Sequence, residues 1–309
     1  MTDILDEALP FLRCPQCCSP SVEGEDQLIR AGGSLRCGAG HCFDIARSGY
    51  VSLLPGGTAK NAGDSAAMVR ARSEFLAAGH FAGLAAALTE AALTEAALTE
   101  AALTEAAAQP PAPPAGCVVE VGAGTGYYLA AVLDRLPDRI GLALDRSKSA
   151  LQVAARSHAR IAAIGCDAWR PLPVADNAAE LVISLFAPRD GAELARILSP
   201  SGSLIVGTPT QDHLSELIGP LGLLSVDEHK QTRLADKLSP HFEPTATVEH
   251  RATLRLRHPA VTALATMGPG YWHTDPSALA ARVAQLPDPV EVTLAVTLTT
   301  YRLAAIQPR

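Results

Sequence analysis

The sequence predicts an α/β protein in which a mostly parallel sheet of seven strands follows a small cysteine-rich module. Five of the seven cysteines lie within the first 42 residues, among short segments rich in glycine. From residue 117 onward, short apolar runs alternate with amphipathic segments of helical period. This alternation is the pattern of a parallel sheet covered by helices.

Composition divides the chain into three parts. We predict a metal-binding module over residues 1–55, a helical connector over 56–116 and an α/β domain over 117–309. The connector is rich in alanine and ends in QPPAPPAG, whose prolines cannot continue a helix. A length of 309 residues suits a catalytic domain with an accessory module.

Within the connector the pentapeptide AALTE occurs four times, from Ala86 to Glu105. A period of five residues advances about 140° around a helix per repeat, so the leucines spiral and form no single stripe. We interpret the repeats as a helical spacer that carries no site, with a packed helix as the alternative. On the spacer interpretation, removing two or three repeats leaves activity largely intact.

Charge and hydropathy exclude some classes of protein. The chain has no apolar run of membrane-spanning length, and its acidic N-terminus does not resemble a secretory signal, so we expect a cytoplasmic protein. The formal net charge of -7 is unfavourable for binding a polyanion. Between Arg30 and Arg72, however, six basic and two acidic residues give +4, which leaves -11 elsewhere. This basic region suits either an RNA contact or an ordinary solvated surface.

The cysteine-rich module contains two pairs of potential metal ligands. Cys14 and Cys17 form a C-x2-C pair, and Cys37 and His41 form a C-x3-H pair after nineteen intervening residues. Two such pairs are typical of tetrahedral Zn2+, and four protein ligands leave no open position for catalysis. We therefore predict a structural zinc ion. Loss of Cys14 is expected to unfold this module while the α/β domain still binds its ligand.

The other cysteines do not indicate a disulfide framework. Their total is odd, and no secretory signal precedes them. Cys18 and Cys42, each adjacent to a predicted ligand, are interpreted as packing thiols. The alternative is that the cysteines of the module are buried and free, without a metal ion.

A glycine-rich turn follows the first strand of the α/β domain, predicted over 117–121. Glycine there lets the backbone approach a ligand at the N-terminus of the next helix. The spacing G-x-G-x-G differs from the G-x-G-x-x-G of dinucleotide sites, which accommodates a pyrophosphate. S-adenosylmethionine has no pyrophosphate and fits the shorter turn. The residues predicted to contact it here are Glu120, Gly122, Gly124 and Gly126.

Two acidic residues follow the next predicted strands. Asp145 comes nineteen residues after Gly126, where a carboxylate can accept hydrogen bonds from both ribose hydroxyls. Asp167 follows the third strand and can accept from the adenine amino group. The alternative for both is an ordinary surface cap. Together with the glycine turn, they predict a class I Rossmann-like methyltransferase fold, and we expect Asp145→Ala to abolish cofactor binding.

These motifs in combination resemble the 23S ribosomal RNA guanine-N1 methyltransferases. The resemblance covers nearly the whole chain, through CPQC, CGAGH with FDIARSGYVSLLP, Gly63–Met68, Ala71–Arg72, Phe75–Phe81, EVGAGTG, FAPR, Thr208–His213 and Met267-Gly-Pro. The FAP loop and HKQTRLADKLSPHFEP are most similar to the branch that gives resistance to tylosin- and mycinamicin-type macrolides. The AALTE repeats depart from the family pattern.

The resemblance implies zinc at Cys14, Cys17, Cys37 and His41 and cofactor contacts at Phe81, Gly124, Thr125 and His213. It also implies a homodimer with a cleft for a 23S rRNA hairpin between the zinc modules. Read without the resemblance, Phe81 is a core aromatic residue and His213 a residue at the start of a helix.

Methylation at guanine N1 requires that the N1 proton leaves. We predict Asp190 as the general base and Arg189 as the group that stabilises charge on O6, with solvated loop charges as the alternative. The target base must also leave its stack, and Phe186, Tyr50 or Phe43 is predicted to offer a stacking face.

Two other functions remain open from the sequence alone. One is a small-molecule methyltransferase of antibiotic biosynthesis, although small substrates rarely need a zinc module with basic residues. The other is a non-catalytic RNA-binding protein, although the intact glycine turn and Asp145 argue against it. A nicotinamide-dependent enzyme fits least, because of the glycine spacing.

Overall fold

The computed structural model describes residues 3–17, 24–55, 63–106, 116–225 and 236–305. Within this part, no single helix is long and apolar enough to cross a membrane. Two consecutive helices reach the required length and composition only when they are taken together, across a bend of 81°. The predicted domain boundaries at residues 55 and 116 adjoin segments outside the described residues and remain predictions.

The N-terminal module consists of a short helix and a small antiparallel sheet. Its elements are α1 (Ile4–Ala8), β1 (Leu28–Ala31), β2 (Ser34–Cys37) and β3 (Cys42–Asp44). The sheet order is β1-β2-β3, and the side chains buried beneath it include Leu28, Leu35 and Phe43. The segment from Val51 to Ser52, β4, leaves this module and joins the main sheet.

The main sheet has eight strands in the order β10-β11-β9-β8-β5-β6-β7-β4. From residue 117 onward these are β5 (Cys117–Val121), β6 (Gly141–Asp145), β7 (Ile161–Gly165), β8 (Ala179–Leu185), β9 (Leu198–Pro209), β10 (Phe242–Leu256) and β11 (Val290–Leu303). Only the pairings of β11, with β9 and with β10, are antiparallel. The seven mostly parallel strands predicted for this region are thus confirmed, and β4 adds an eighth that the sequence did not predict.

Helices cover both faces of the sheet. They are α2 (Ala66–Ala77), α3 (Ala82–Ala106), α4 (Tyr127–Arg135), α5 (Lys148–Ser157), α6 (Gly191–Ile197), α7 (Ser215–Leu221), α8 (His258–Thr266) and α9 (Pro276–Val283). The chain runs outward from β5 through β6 to β7, and then returns to build β8 and β9 on the other side. This reversal leaves a crevice at the carboxyl ends of β5 and β8, where open α/β sheets bind ligands.

The N-terminal module is fixed to the edge of the main sheet. β4 pairs in parallel with β7, and the Leu53 N–H donates to the Gly165 carbonyl at 2.8 Å. The Ala175 N–H donates to the Phe11 carbonyl at 2.8 Å. One hydrophobic core contains Leu12, Leu35 and Phe43 of the module together with Val119, Leu142 and Ile164 of the main sheet. The two parts therefore share a core.

Helix α3 contains the AALTE repeats and packs on β8, β9 and α4. The spacer interpretation is wrong, and the packed helix is the correct alternative. Its buried positions include Leu88, Ala92, Glu95 and Thr99, which are four, three and four residues apart, as one face of a helix requires. The leucines do spiral, so the buried face receives a different residue type at each turn.

The buried face of α3 includes one acidic side chain, which is satisfied by the sheet. The Glu95 carboxylate accepts from Ser203 Oγ at 2.6 Å and from Arg302 Nη2 at 2.6 Å. Thr99 Oγ1 donates to the Ser201 carbonyl at 3.1 Å. A buried charge of this kind is tolerated only with such partners.

Deleting one AALTE repeat, Ala101–Glu105, is expected to leave stability nearly unchanged, whereas deleting three repeats, 91–105, is expected to destabilise the fold. The single deletion keeps every buried position of α3 for which the structure describes the side chain, all of them before residue 101. The triple deletion places Pro110 where Glu95 lies, which removes the partner of Arg302 and should cost about 3–5 kcal/mol. Urea unfolding followed by circular dichroism measures both, with the single deletion as the matched control. Equal stabilities of the two deletions would restore the spacer interpretation.

Candidate active site and zinc centre

The four predicted zinc ligands converge within the N-terminal module. Their ligand atoms all lie within 4.8 Å of one another, and the Sγ atoms of Cys17 and Cys37 are 3.7 Å apart. Tetrahedral zinc with Zn–S bonds of about 2.3 Å separates two sulfurs by about 3.8 Å, so this donor set fits zinc. Cys42 is exposed and outside the cluster, which corrects its interpretation as a packing thiol, and Cys18 lies outside the described residues.

A cavity of about 600 Å³ opens at the carboxyl edge of β5, β6 and β8. The turn after β5 contributes Gly122 and Gly124, whose φ angles of +72° and +55° favour glycine. A Cβ atom at Gly122 would lie 2.5 Å from the Ala187 Cβ, so a side chain there would collide with the loop after β8. The volume is in the range of about 300–1,000 Å³ typical of small-ligand sites.

Seven of the nine residues predicted to contact the cofactor line this cavity, namely Phe81, Glu120, Gly122, Gly124, Thr125, Asp145 and His213. The other two do not. Gly126 begins α4 in a left-handed conformation and lies against α5. The Asp167 carboxylate accepts from the Trp169 N–H at 3.1 Å and lies 3.8 Å from the Arg146 guanidinium. Contacts of Gly126 and Asp167 with the cofactor stay predictions.

The Asp145 carboxylate is held rigidly at the edge of the cavity. Its Oδ2 accepts from the Gly124 N–H at 2.8 Å, and its Oδ1 accepts from the Ser147 N–H at 2.7 Å. Burial raises the pKa of Asp145, and the two backbone hydrogen bonds oppose that rise. Each oxygen keeps a further lone pair. The carboxylate is thereby preorganised to accept from a pair of hydroxyls.

Glu120 is almost fully buried at the end of β5, with 2 % of its surface exposed. Its Oε2 accepts from the Leu129 N–H at 3.2 Å. Burial raises the pKa of Glu120 to about 8, although that hydrogen bond lowers it. A cation entering the cavity would favour the ionised form of this carboxyl.

Two family models match the chain in separate segments. A zinc-ribbon model described as "RlmA, N-terminal" matches residues 12–61, and one described as "Methyltransferase domain" matches residues 118–202. A protein of Micromonospora griseorubida, "Putative 23S rRNA (guanine-N(1)-)-methyltransferase", is 50% identical over 96% of this chain and 98% of its own length. The "23S rRNA (guanine(748)-N(1))-methyltransferase" of Streptomyces fradiae is 46% identical over 94% of this chain and 96% of its own length.

The chain belongs to the 23S rRNA (guanine-N1)-methyltransferase family. A more distant member, YxjB of Bacillus subtilis, is 28% identical over 80% of each chain. This methyltransferase therefore takes S-adenosylmethionine as cofactor and carries a structural zinc ion at the four-ligand cluster. The glycine cradle and the fixed Asp145 carboxylate fit an adenosyl group.

On the opposite side of the methyltransferase cavity, His213 packs against Phe186. Their ring centroids are 5.9 Å apart, and the imidazole Nδ1 accepts from the Ala295 N–H at 3.3 Å. Burial lowers the pKa of His213 to about 4, so the ring is neutral with its proton on Nε2. Phe186 has a φ of +55° and is 41% exposed. Such strain in a bulky residue is typical of functional sites.

The depressed pKa of His213 predicts a loss of stability in acid. Between about pH 6.5 and pH 4 the unfolded chain binds a proton at this position that the folded methyltransferase does not. Stability of the wild type should therefore fall through this window relative to His213→Asn, which cannot titrate. Urea unfolding at pH 4.5, 5.5 and 7.5 gives both free energies. Parallel pH profiles of the two proteins would contradict the buried, neutral histidine.

Neither predicted catalytic residue is among the described residues that line the cavity, and the catalytic roles of Arg189 and Asp190 stay predictions. The Arg189 guanidinium donates to Ser184 Oγ at 3.0 Å and to the carbonyls of Ser184 and Gly207 at 3.2 Å. It is buried between β8 and β9, and burial lowers its pKa to about 10. The Asp190 carboxylate caps α6 by accepting from the Ala192 N–H at 3.0 Å. In this structure, Arg189 thus bridges β8 and β9 and Asp190 caps α6.

Two of the three predicted stacking residues are also corrected. Phe43 and Tyr50 are 5% and 8% exposed and belong to the two hydrophobic cores. Neither ring can therefore receive a base. Phe186, which lines the cavity, is the one of the three with an accessible face.

The basic region between residues 30 and 72 is only partly available for RNA. Arg30 is 2.7 Å from Asp3 and 3.1 Å from Asp6, and these two acids compensate its charge. Arg72 faces the cavity. Arg30 is exposed, as are Arg36, Arg47 and Arg70, and Lys60 lies outside the described residues.

Sequence reasoning missed two charged residues that line the cavity, Asp64 and Arg72. Asp64 and Arg72 precede Gly122 by 58 and 50 residues, and only the packing of the α2 region brings them to the glycine turn. A local signal exists nevertheless. Arg72 is flanked three and four positions away by the apolar residues Met68, Val69, Phe75 and Leu76. A lone charge within an apolar helical face indicates a site.

Proposed function

We propose that this chain transfers the methyl group of S-adenosylmethionine to N1 of a guanine in a hairpin loop of 23S rRNA, and that this modification confers macrolide resistance. The observation that carries the proposal is near full-length similarity to relatives with that named activity, joined to a cavity of suitable shape. Guanine 748, named for the Streptomyces fradiae relative, is the first position to examine.

The rim of the cavity supports a flat, extruded base as substrate. Phe186 follows β8 and exposes its ring beside Pro188. An enzyme that modifies a base edge must take the base out of its stack, and an exposed aromatic ring stabilises the extruded form. Phe186 is therefore proposed as the stacking face for the target guanine.

The chain itself mainly aligns the reactants and removes water. The cofactor, when bound, supplies an electrophilic methyl group on its sulfonium. Asp145 accepts from the ribose hydroxyls, and the glycine turn after β5 lets the backbone come close to the ligand. Leu214, Ile218 and Leu264 make the far wall apolar, which excludes water from the reacting atoms. His213 presents an Nε2–H donor from a fixed ring.

The assembly and location of the protein are further parts of this proposal. We infer a cytoplasmic homodimer in which the zinc modules of two copies bound the RNA cleft. The rigid attachment of the module to the edge of the sheet supports a fixed cleft geometry. Sedimentation equilibrium across a range of protein concentrations tests the dimer, and a single monomeric species throughout would contradict it.

The test of function is methylation of 23S rRNA with isotope-labelled S-adenosylmethionine, followed by reverse-transcriptase mapping. A methyl group at N1 blocks the Watson–Crick edge, so a stop is expected one nucleotide before a guanine in a hairpin loop. Asp145→Asn is the inactive control. Label found in a macrolide intermediate and absent from RNA would establish the small-molecule alternative. RNA binding without any methyl transfer would establish the non-catalytic one.

A further inference from the structure

An ion pair lines the cavity beside the glycine turn. Asp64 Oδ2 and Arg72 Nη1 are 2.5 Å apart, and each side chain is 26% exposed. Arg72 Nη2 also donates to the Met267 carbonyl at 2.8 Å. The guanidinium lies against the turn, because a Cβ atom at Gly124 would be 3.2 Å from Arg72 Nη1.

The surrounding backbone fixes the position of this pair. Ser147 Oγ donates to the Asp64 carbonyl at 2.7 Å. Gly63 has a φ of +97°, and a Cβ atom there would be 2.8 Å from the Ser147 nitrogen. Asp64 is thus bound to Ser147 at the start of α5. Arg72 is bound to the carbonyl of Met267, which follows α8. The guanidinium needs no rearrangement to meet a ligand.

The charges around the cavity are unevenly distributed. Among the described residues that line it, the acids are Asp64, Glu120 and Asp145, and Arg72 is the one lysine or arginine. The acids suit the cationic sulfonium and ammonium groups of S-adenosylmethionine. The cofactor also carries a carboxylate on its methionine end, and an anion among three acids requires a cation.

We propose that Arg72 binds the methionine carboxylate of S-adenosylmethionine and that Asp64 positions the guanidinium for this contact. The Asp145 carboxylate accepts from the Gly124 N–H, and the Arg72 guanidinium lies beside the same glycine. One turn would therefore bring the ribose acceptor and the carboxylate-binding cation close together. A guanidinium with planar donors can form two parallel hydrogen bonds to a carboxylate, which a lysine cannot. This proposal rests on one part of the proposed function, namely that the chain binds S-adenosylmethionine.

The test compares two ligands that differ in the amino-acid end. S-adenosylmethionine has a sulfonium and an amino-acid end with a carboxylate and an ammonium group, whereas 5′-methylthioadenosine keeps the adenosine on a neutral thioether and has no amino-acid end. Calorimetry with full-length Arg72→Met is expected to show binding of S-adenosylmethionine weakened about 10- to 100-fold and binding of methylthioadenosine unchanged. Arg72→Lys should recover part of the loss, and Asp64→Asn should show a smaller loss of the same kind.

The controls separate this role from a structural one. Arg70→Met, an exposed substitution on the same helix, should leave both affinities unchanged. Equal weakening of both ligands by Arg72→Met would show a structural role and overturn the proposal. If Arg72→Met kept its affinity for S-adenosylmethionine but bound RNA more weakly, Arg72 would contact an RNA phosphate. That result would also overturn the proposal. The wild-type protein is titrated with S-adenosylmethionine in the same series. If the wild type does not bind the cofactor, the proposed function fails, and that result is distinct from failure of the Arg72 proposal.

Discussion

Replacing Cys14 with serine is expected to release zinc, lower the Tm and weaken cofactor binding together with RNA methylation. Cys14 is one of four converging ligands, and zinc bound by them contributes folding free energy directly. We expect a loss of at least about 3 kcal/mol, or about 6–12 °C in Tm for a chain of this size.

The effect on the cofactor site differs from what the sequence indicated. Cys14 and Leu12 lie in the same core as Val119 and Ile164 of the main sheet, and β4 extends that sheet. The Gly63–Asp64 wall of the cavity follows the module along the chain. Because the core is shared, unfolding of the module should propagate to the site instead of leaving it intact.

Zinc content by atomic absorption, Tm by calorimetry and affinity for S-adenosylmethionine measure the three effects. Cys42→Ser is the matched control, because Cys42 is exposed and outside the ligand cluster. A Cys14→Ser protein that lost its zinc but bound the cofactor with wild-type affinity would show that the two parts fold independently.

The substitution Asp145→Asn is expected to weaken binding of S-adenosylmethionine by at least about 100-fold. An asparagine offers one acceptor where the carboxylate offers two, so either the Gly124 N–H or the Ser147 N–H faces an amide donor. The turn then loses its anchor, and the ribose loses a charged acceptor. Both losses act on the same ligand.

Isothermal titration with the folded variant measures this affinity. Asp190→Asn is the control, since that residue caps α6 outside the described cavity lining and asparagine is an equally good cap. It should leave cofactor affinity unchanged. An Asp145→Asn protein that stayed within about threefold of wild type would remove Asp145 from the ribose site.

The local motifs determined most of the site. The spacing of Cys14, Cys17, Cys37 and His41 was sufficient to predict zinc, because two short turns bring each pair of ligands together wherever the pairs meet. The G-x-G-x-G turn predicted the cofactor, because glycine conformation and strand order fix the turn at the carboxyl edge of the sheet. Near full-length similarity confirmed the family that these motifs indicated.

Only the tertiary structure decided the contacts of α3, of Arg72 and of the FAPRD segment. The spacing of leucines in the AALTE repeats predicts which residues share a helix face. It does not predict that Glu95 accepts hydrogen bonds from Ser203 and Arg302, which lie on strands of the main sheet. The sequence FAPRD places Arg189 and Asp190 next to the cavity lining along the chain. Only the structure shows that the Arg189 guanidinium donates to Ser184 and that the Asp190 carboxylate caps α6. Arg72 is far from the glycine turn in the sequence but lies beside it in the structure. Such contacts depend on packing between distant elements, which local sequence does not specify.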